Sequence, residues 1–455
     1  MNLGNDTIAA IATAPGAGGI SIVRVSGPAS LTIADRLFRC SGPPPSARPG
    51  GSFVYGHVHT DRDIDEAVLM IYRAPASYTR EDVVEFQGHG GNAAARRVLR
   101  AVLQTGVRPA APGEFTLRAF LSGRIDLLQA EAVMDLIQAR SERAATAAVE
   151  QLEGALSASF NRLYDQLIAV AADLEASLDF EEGELPVSTL DTLRAQLNRI
   201  QTDFQTLAKG WDEGHLLRDG AMVVIAGKPN VGKSSLMNAL LGKARAIVTD
   251  IAGTTRDTLE EQLVINGFPI RLVDTAGIRD ADCDIEQEGI RRAREQIDRS
   301  DLTLLIIDGS APTSDQDNAL LTAINPKKTL LVINKIDRGQ QISESDFTTL
   351  RCVSCSVRDG VGMDELKAAI AEMLCLQPLA GTPHAVISER HLQLIQEIES
   401  HLGEAARILA EGYESCETMA ASEIRDAIER LGRITGRHYH AELLDTVFSR
   451  FCVGK

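Results

Sequence analysis

The sequence predicts a chain of several domains in which α+β, all-α and parallel α/β parts follow one another. Three observations predict this: the length, β-rich runs broken by Gly and Pro near the N-terminus, and helical stripes on both sides of a region of alternating strand and helix patterns. At roughly 100–200 residues per domain, 455 residues make two to four domains. We expect an α+β domain over 1–120, a helical bundle in two parts, 121–217 and 379–455, and an α/β domain over 218–378 inserted between these parts.

The composition is that of a globular protein without covalent cross-links. Apolar residues make up 44% and charged residues 24% of the chain, and seven cysteines, an odd number, do not indicate a disulfide framework. No apolar run approaches the roughly 18 residues of a membrane span, and the start MNLGNDTIAA lacks the features of a secretory signal. We therefore expect a cytoplasmic protein with no membrane span. The net charge of −17 argues against non-specific coating of nucleic acid, so a polyanion has to be met by local patches.

Apolar periodicity separates the strands of the N-terminal domain from the helices of the bundle. The runs ISIVRVSG (20–27) and AVLMIY (67–72) predict strands, and SGPPPSARPGG (41–51) predicts a loop. From about residue 122 apolar residues recur at helical spacing, which is typical of a bundle core. The stripes are Leu163, Leu167, Val170, Leu174 and Leu178; Leu392, Ile395, Ile398 and Leu402; and Ile424, Ile428, Leu431 and Ile434.

The inserted domain carries a phosphate-binding motif. The run GAMVVIAG (220–227) predicts a strand, and GKPNVGKS (227–234) follows it and opens a predicted helix, which is the context that GxxxxGK[ST] requires. Its glycines allow successive backbone N–H groups to point at a phosphate, and the helix N-terminus adds its positive dipole end. We expect Lys233 to reach the β- and γ-phosphates and Ser234 to bind Mg²⁺.

Further motifs in the expected order predict that the nucleotide is GTP. Asp274-Thr275-Ala276-Gly277 follows the strand IRLV, and Thr255 in GTTRD (253–257) is placed to bind Mg²⁺ and the γ-phosphate. In NKID (334–337), Asp337 can accept from two guanine N–H donors, and Ser356-Val357-Arg358 follows the strand-like RCVSC. The residues expected to contact GTP are Asn230, Val231, Gly232, Lys233, Ser234, Ser235, Thr249, Asp250, Ile251, Ala252, Gly253, Thr254, Thr255, Asp274, Thr275, Ala276, Gly277, Asn334, Lys335, Asp337, Ser356, Val357 and Arg358.

The hydrolytic machinery lacks one expected side chain. A Ras-like enzyme has a glutamine directly after the DxxG glycine, whereas this chain has Ile278. Another group must align the water and neutralise charge if hydrolysis is to be fast. Asn230, together with backbone carbonyls of residues 246–252, could hold a monovalent cation. Arg256 is a competing source of positive charge, and Glu286 could orient the water, so the residues alone leave these alternatives open.

Several phrases of the sequence together resemble one family. GKPNVGKSS, IVTDIAGTTRD, DTAGIR and NKID occur with the ending FCVGK (451–455), and RVSG, EDVVEFQGHGG, RPAAPGEFTLRAFLSGRIDLLQAEAV and LLRDGAMVVIAGKPN occur before them. With these phrases the chain resembles the MnmE family of tRNA-modification GTPases, also called TrmE, over essentially its whole length. The resemblance implies an N-terminal folate-binding domain, a discontinuous helical bundle, and a Ras-like P-loop G domain inserted in it.

The resemblance also implies an activity and its partners. It implies a hydrolase of the EC 3.6 class that cleaves GTP, activated by K⁺-dependent dimerisation of the G domains across a constitutive homodimer. It implies a complex with the FAD-dependent protein MnmG (GidA), where FAD belongs to the partner only. This complex installs a carboxymethylaminomethyl-type group at C5 of the wobble uridine of certain tRNAs. A tetrahydrofolate derivative, in the 5-formyl or methylene form, supplies the one-carbon unit.

Site residues follow from the resemblance by matching motifs. The K⁺ positions are Asn230, Thr249, Ile251 and Thr254, and the Mg²⁺ positions are Ser234 and Thr255. Glu286 falls on an acid that acts through water, which makes it, with Asn230, a catalytic candidate. The folate positions are Arg24, Glu85, Arg124 and Lys455. Val357 and Val453 depart from the family's usual residues, so side-chain contacts at these two positions are not transferred.

Two questions stay open beside the resemblance. The thiol of Cys452 near a one-carbon donor could act as a nucleophile, or it could be incidental, because no base is identifiable near it. The rival function is a GTP-dependent binding switch in ribosome assembly or signalling, which the nucleotide motifs do not exclude. The long segment before the G domain and the CVGK ending favour the modification enzyme.

Overall fold

A computed structural model describes residues 6–177, 187–209, 211–242, 260–274, 296–374, 388–411 and 416–454. The chain divides into two compact units. Unit 1 comprises 1–134, 152–201 and 397–455, and unit 2 comprises 135–151 and 202–396. No helix in the described ranges is long and apolar enough to cross a bilayer.

Strands and helices have the following bounds. The strands are β1 (Ile8–Ile11), β2 (Ile20–Ser26), β3 (Phe38–Cys40), β4 (Ser52–His59), β5 (Asp63–Tyr72), β6 (Val83–His89), β7 (Arg108–Pro109), β8 (Ala221–Gly227), β9 (Glu260–Ile265), β10 (Phe268–Asp274), β11 (Leu302–Asp308), β12 (Thr329–Asn334) and β13 (Arg351–Ser354). The α-helices are α1 (Ser30–Leu37), α2 (Asn92–Leu103), α3 (Glu114–Leu121), α4 (Leu127–Gln138), α5 (Glu142–Leu152), α6 (Ala155–Ser177), α7 (Val187–Lys209), α8 (Trp211–Asp219), α9 (Lys233–Gly242), α10 (Asp315–Ala323), α11 (Met363–Met373), α12 (Glu389–Glu411), α13 (Cys416–Thr435) and α14 (Ala441–Phe448).

Unit 1 is built on a seven-stranded sheet in the order β3-β4-β5-β6-β2-β1-β7. Its pairings are antiparallel except for the parallel pair of β1 and β7. Alternate residues of a strand point to opposite faces, and one face packs against α1 and α2. In that core Val23, Leu69 and Phe86 of the strands are buried with Leu31 of α1 and Val98 of α2.

The second face of this sheet is only partly covered. Beside β1, Ile8, Ala10 and Phe115 of α3 form a small buried cluster. Farther along the sheet, on β4, Phe53 and Tyr55 are 69% and 60% exposed. Large apolar side chains at such exposure make this part of the sheet an unpartnered apolar surface.

Helices α6, α12 and α13 bear out the predicted core stripes. Leu163, Leu167, Val170 and Leu174 of α6 are buried, whereas Leu178 lies outside the described residues. Ile395, Ile398 and Leu402 of α12 and all four stripe residues of α13 are also buried, while Leu392 is half-buried. The residues of each stripe are buried together because their spacing places them on one face of the helix.

Unit 2 is built on a six-stranded sheet in the order β13-β12-β11-β8-β10-β9. The pairings from β13 to β10 are all parallel, and the edge strand β9 is antiparallel to β10. A parallel sheet has to be covered on both faces, and two clusters of buried residues lie on this one. One contains α9 and α11 with residues of α5 and α8, and the other contains Leu305, Ile333 and Cys352. The parallel α/β fold is as predicted.

Helix α5 joins unit 2 although it precedes the α/β domain by some 70 residues. Ala147 of α5 is buried in the same cluster as the strands of unit 2. The guanidinium of Arg143 lies 4.4 Å from the ring centroid of Phe268 in β10, a cation–π distance. Asp135, at the start of this segment, forms a 2.8 Å ion pair with Arg218 of α8. The domain bounds given above stay a prediction.

Candidate functional site

The loop between β8 and α9 has a backbone that only certain residues permit. Asn230 and Gly232 have φ values of 64° and 105°, and Gly227 has 147°. A Cβ on Gly227 would lie 2.4 Å from the carbonyl oxygen of Ile306, and one on Gly232 would lie 2.4 Å from the amide nitrogen of Asn334. Both positions therefore require glycine. The loop leads directly into the N-terminus of α9 at Lys233, so backbone N–H groups and the helix dipole converge there, which suits a phosphate.

The lysine that opens α9 is held inside this loop. Lys233 is 8% exposed, and its ammonium donates to the carbonyl oxygens of Gly227 at 3.0 Å and Lys228 at 2.8 Å. The hydroxyl-bearing residues that follow it, Ser234 and Ser235, are exposed in the first turn of the helix. An ammonium inside a loop of N–H donors is the arrangement that binds a polyphosphate.

A second lysine ties the loop to helix α10. The ammonium of Lys228 lies 2.5 Å from the carboxylate Oδ2 of Asp317 and 2.5 Å from the hydroxyl of Ser314. Ser314 is the N-cap of α10, and Asp317 completes a capping box with it. Burial raises the pKa of Asp317, but the hydrogen bonds from Lys228 and Ser314 and the charge of Lys228 together outweigh it, so that pKa is lowered. Sequence reasoning did not select Lys228 or Asp317.

The NKID motif also forms hydrogen bonds to the loop between β8 and α9. The Asn334 amide donates to the carbonyl oxygen of Val231 at 2.8 Å, and its own oxygen accepts from the backbone N–H of Val357 at 3.2 Å. The Lys335 ammonium bonds the carbonyl oxygen of Asn230 and the carboxylate of Asp308, each at 2.7 Å. The motif therefore connects the loop after β8 to the loop after β13.

The last residue of that motif projects toward solvent. Asp337 is exposed, and one of its carboxylate oxygens accepts from the hydroxyl of Ser356 at 2.8 Å. Ser356 is 1% exposed, and its backbone pairs with that of Val361. A carboxylate oriented by a buried hydroxyl, beside Val357 and the exposed Arg358, can accept hydrogen bonds from the edge of a flat base.

The electrostatics of the strand ends are set by the half-buried ion pair of Lys335 and Asp308. Burial would raise the pKa of Asp308, but hydrogen bonds from Lys335 and Ser310 outweigh it and lower that pKa. The carboxylate is therefore ionised and holds Lys335 in place. All of these groups lie at the carboxyl ends of β8, β11, β12 and β13, where parallel α/β sheets bind ligands.

Part of the predicted site lies outside the described residues. Asp274 ends β10 as expected. The remaining predicted positions lie outside the described residues: Thr249, Asp250, Ile251, Ala252, Gly253, Thr254, Thr255, Thr275, Ala276, Gly277, Glu286 and Lys455, together with Ile278 and Arg256.

A second cluster lies on the open face of the unit 1 sheet. Arg24 and Glu85 are register partners on β2 and β6, and Arg24 Nε donates to Glu85 Oε1 at 2.8 Å. The guanidinium of Arg24 lies 5.8 Å from the ring centroid of Tyr78 and 5.5 Å from that of Phe115. The guanidinium of Arg124 lies 4.7 Å from the ring centroid of the same Tyr78. Three of the four predicted folate positions are thus brought together.

Sequence reasoning missed the aromatic residue at the centre of this cluster. Tyr78 contacts both guanidinium groups, which are 100 residues apart in the chain, and its hydroxyl lies 3.0 Å from that of Thr116. Cation–π contacts of this kind hold the two positive charges beside a flat apolar surface. No local pattern marks Tyr78, because its partners come from β2 and from the loop after α3.

The C-terminal tail runs along the same unit. Val453 pairs with Pro112, and Gly113 donates its N–H to the carbonyl oxygen of Cys452 at 3.4 Å. A Cβ on Gly454 would lie 2.2 Å from the carbonyl oxygen of Ile11, so the tail passes directly against β1. Cys452 is exposed there.

Comparison with known proteins identifies the family. A family model described as the MnmE helical domain matches residues 127–452, and one described as the GTP-binding protein TrmE N-terminus matches residues 7–124. A solved G domain of the T. maritima FeoB iron transporter is 29% identical and covers 34% of this chain and 98% of its own, with a TM-score of 0.27. At that score the structural likeness carries no argument.

The sequence relatives extend over the whole chain. The tRNA modification GTPase MnmE of Geobacter sulfurreducens is 44% identical, with 99% of each chain covered, and that of Syntrophotalea carbinolica is 43% identical, with 100% of each covered. That of Natranaerobius thermophilus is 39% identical, with 99% of each covered. The nucleotide motifs, the two family models and this full-length similarity agree. The chain belongs to the MnmE family of tRNA modification GTPases and is a GTP-hydrolysing enzyme.

Proposed function

We propose that GTP binds at the carboxyl edge of the unit 2 sheet, with its phosphates in the loop after β8 and its guanine at Asp337. The observation that carries this is the double attachment of one loop: Asn334 bonds Val231 and Lys335 bonds Asn230. The phosphate loop and the base-reading carboxylate thereby belong to one hydrogen-bonded assembly. Lys233 would neutralise the β- and γ-phosphates.

Asp337 provides the test of the base assignment. Asp337→Asn replaces an acceptor by an amide and removes one of the two acceptors that guanine's N–H donors require, whereas xanthine presents the complementary edge. We expect GTP affinity to fall by about tenfold or more and preference to shift toward xanthosine nucleotides, measured by competition against a fluorescent GDP. Unchanged GTP affinity would contradict the assignment.

We further propose that a potassium ion and a magnesium ion take part in hydrolysis. The described residues fit such ions, because Asn230 is exposed on the phosphate loop and Ser234 is exposed in the first turn of α9. The remaining proposed ligands are Thr249, Ile251 and Thr254 for K⁺ and Thr255 for Mg²⁺. A monovalent cation would supply the positive charge that an arginine finger supplies elsewhere, and Glu286 would act on the attacking water. GTP turnover in K⁺ should greatly exceed that in Na⁺; equal rates would remove the potassium ion.

The cluster around Tyr78 is proposed to bind a tetrahydrofolate derivative, in the 5-formyl or methylene form. Its chemistry fits: the Glu85 carboxylate can accept from a pterin edge, and the Arg24 and Arg124 guanidinium groups can pair with carboxylates. The half-buried Tyr78 adds aromatic surface. Binding of 5-formyltetrahydrofolate, measured by calorimetry, should be lost in Glu85→Gln, and retained binding would refute the site. Lys455 and Cys452 stay candidates at this site.

We propose a homodimer formed through the open face of the unit 1 sheet. This face carries the exposed Phe53 and Tyr55 and also the Arg24–Glu85 pair, so a second copy packed there would bury apolar surface beside the folate candidates. In light scattering, Phe53→Ser with Tyr55→Ser should shift the chain toward the monomer. If the double variant scatters with the same molar mass as the wild type, this face is not the dimer interface.

In the complete proposal the chain acts in the cytoplasm with the FAD-dependent protein MnmG. Together they install a carboxymethylaminomethyl-type group at C5 of the wobble uridine of certain tRNAs, and dimerisation of the G domains stimulates GTP hydrolysis. Support comes from the family and from the cluster of Arg24, Glu85 and Tyr78 in unit 1. Mass spectrometry of tRNA nucleosides from a deletion strain should show the wobble modification missing. An intact modification would favour the rival binding switch.

A further inference from the structure

Helix α2 and its flanks form a segment without acidic residues in an acidic chain. Between Glu85 and Glu114 there is no Asp or Glu, whereas the chain as a whole has 63 acidic residues and a net charge of −17. The same segment contains four arginines, three of which, Arg96, Arg97 and Arg100, lie on α2. Positive charge is therefore concentrated here against the overall field of the molecule.

The three arginines share the outer side of α2. Ala95, Val98, Ala101 and Val102 are the buried residues of this helix, and the arginines between them are exposed. Arg96 and Arg100 are one turn apart, about 6 Å along the helix axis. Within the part of the chain that the structure describes, no ion pair involves any of these three guanidinium groups.

A fourth exposed arginine, Arg36, lies on α1, which packs in the same core as α2. Exposed Arg36 of α1 lines an open cleft of about 420 Å³, together with Thr32 and, from the chain just after α2, Thr105 and Arg108. Arg108 is neutralised by Asp6 and Glu114. The acid next to Arg36 in sequence, Asp35, accepts from the backbone N–H of Ser46. We name the three arginines of α2, Arg96, Arg97 and Arg100, the arginine face.

We propose that the arginine face binds the phosphate backbone of tRNA. Guanidinium groups bind phosphates bidentately, and a chain of charge −17 can hold a polyanion only at such a local patch. The face carries no large exposed apolar residue among those the structure describes, and so lacks the aromatic and aliphatic anchors of a protein interface. Contacts of this kind position an RNA without reading its sequence. The inference rests on the proposed role in tRNA modification.

The test compares two variants of equal charge in the full-length protein. One is Arg96→Gln/Arg97→Gln/Arg100→Gln. Its matched control removes three scattered exposed cations, Arg62→Gln/Arg199→Gln/Lys327→Gln. Binding of fluorescently labelled tRNA is followed by anisotropy from 50 to 200 mM KCl. We expect the first variant to bind about tenfold or more weakly at 50 mM KCl, with a salt slope smaller by about two to three, and the control to change far less. GTP turnover should be that of the wild type in both.

Other results overturn the proposal. The arginine face is refuted if the wild type and the first variant bind tRNA with equal affinity. It is also refuted if both variants lose affinity equally, or if the wild type shows no measurable binding. Binding of polyglutamate that depends on these arginines, without an effect on tRNA, would assign the face to an acidic protein and also refute it. None of these outcomes bears on nucleoside mass spectrometry in the deletion strain, so a failed arginine face and a failed proposed function are distinguishable.

Discussion

The ion pair between Lys228 and Asp317 allows a prediction with a magnitude. Lys228→Met keeps the length of the side chain and removes the ammonium that lies 2.5 Å from Asp317 Oδ2 and 2.5 Å from the Ser314 hydroxyl. The Asp317 side chain is 5% exposed, and its Oδ1 already has no hydrogen-bond partner. Without Lys228 the buried carboxylate keeps only the capping-box bonds to Ser314. A buried charge with so few partners destabilises the folded state.

Breaking a fully buried pair costs roughly 3–5 kcal/mol. The Lys228 side chain is 22% exposed, so solvent already screens part of the attraction, and we expect about 2–3 kcal/mol. Local opening of α10 should then become about 30- to 150-fold more frequent, at about 1.4 kcal/mol per factor of ten. Hydrogen exchange of residues 312–324, followed by mass spectrometry, measures this directly. A global melting curve is less suitable because the chain has two units.

Two variants control for the loss of a charge as such. Lys228→Arg keeps a cation within reach of Asp317 and should leave exchange near the wild-type rate, and Lys327→Met removes an exposed charge of the same unit. Lys228→Met/Asp317→Leu removes both charges and should recover much of the stability. Unchanged exchange of α10 in Lys228→Met would show that the pair contributes nothing.

Three further predictions concern other groups. Burial raises the pKa of Glu114, but hydrogen bonds from Arg108, the Ala111 N–H and Arg118 together outweigh it, so that pKa is lowered. The ionised Glu114 therefore stabilises unit 1 above the ordinary value of 4.5, and circular dichroism should show this stability lost as the pH falls from 4.5 through the lowered pKa. Burial raises the pKa of Cys355 to about 11, so iodoacetamide at pH 7.5 should alkylate exposed Cys452 first, and peptide mass spectrometry showing the reverse order would contradict this. Tyr78→Leu should weaken 5-formyltetrahydrofolate several-fold in calorimetry while Tyr78→Phe keeps most of the affinity, since the ring face contacts both guanidinium groups.

The nucleotide loop could be predicted because its determinants are local. Each motif directly follows an apolar strand, so the end of the strand fixes where the motif begins. Gly227 and Gly232 are required by close approaches of Ile306 and Asn334, and the spacing of the motif anticipates that need before the partners are known. The fold class followed from the same kind of signal, periodicity within one segment. The turn at Asn266-Gly267, with φ values of 51° and 84°, joins β9 and β10, and Asn-Gly is the dipeptide that such a hairpin turn favours.

Contacts between distant segments could not be predicted in this way. Ser314 is 86 residues from Lys228, and nothing near either residue marks the other. The same holds for Tyr78, whose two arginines come from different elements. A lysine in a loop or a tyrosine between strands has many compatible surroundings, and only the tertiary fold selects one. The arginine face was equally hidden, since burial of the residues between the arginines decides that they share a side.

Helix α5 shows what this limit means for the enzyme. Its sequence, ERAATAAVEQL, fits any helix that needs close packing on one side, so pattern alone assigned it to the bundle. In the fold its Ala147 enters the core of unit 2, and the guanidinium of Arg143 lies over the ring of Phe268, next to the turn of the β9–β10 hairpin. That hairpin is bounded in sequence by GTTRD on one side and by the DxxG motif on the other, the two segments expected to respond to the γ-phosphate. Because packed surfaces do not deform continuously, a shift of the hairpin must carry α5 with it or break the Arg143–Phe268 contact.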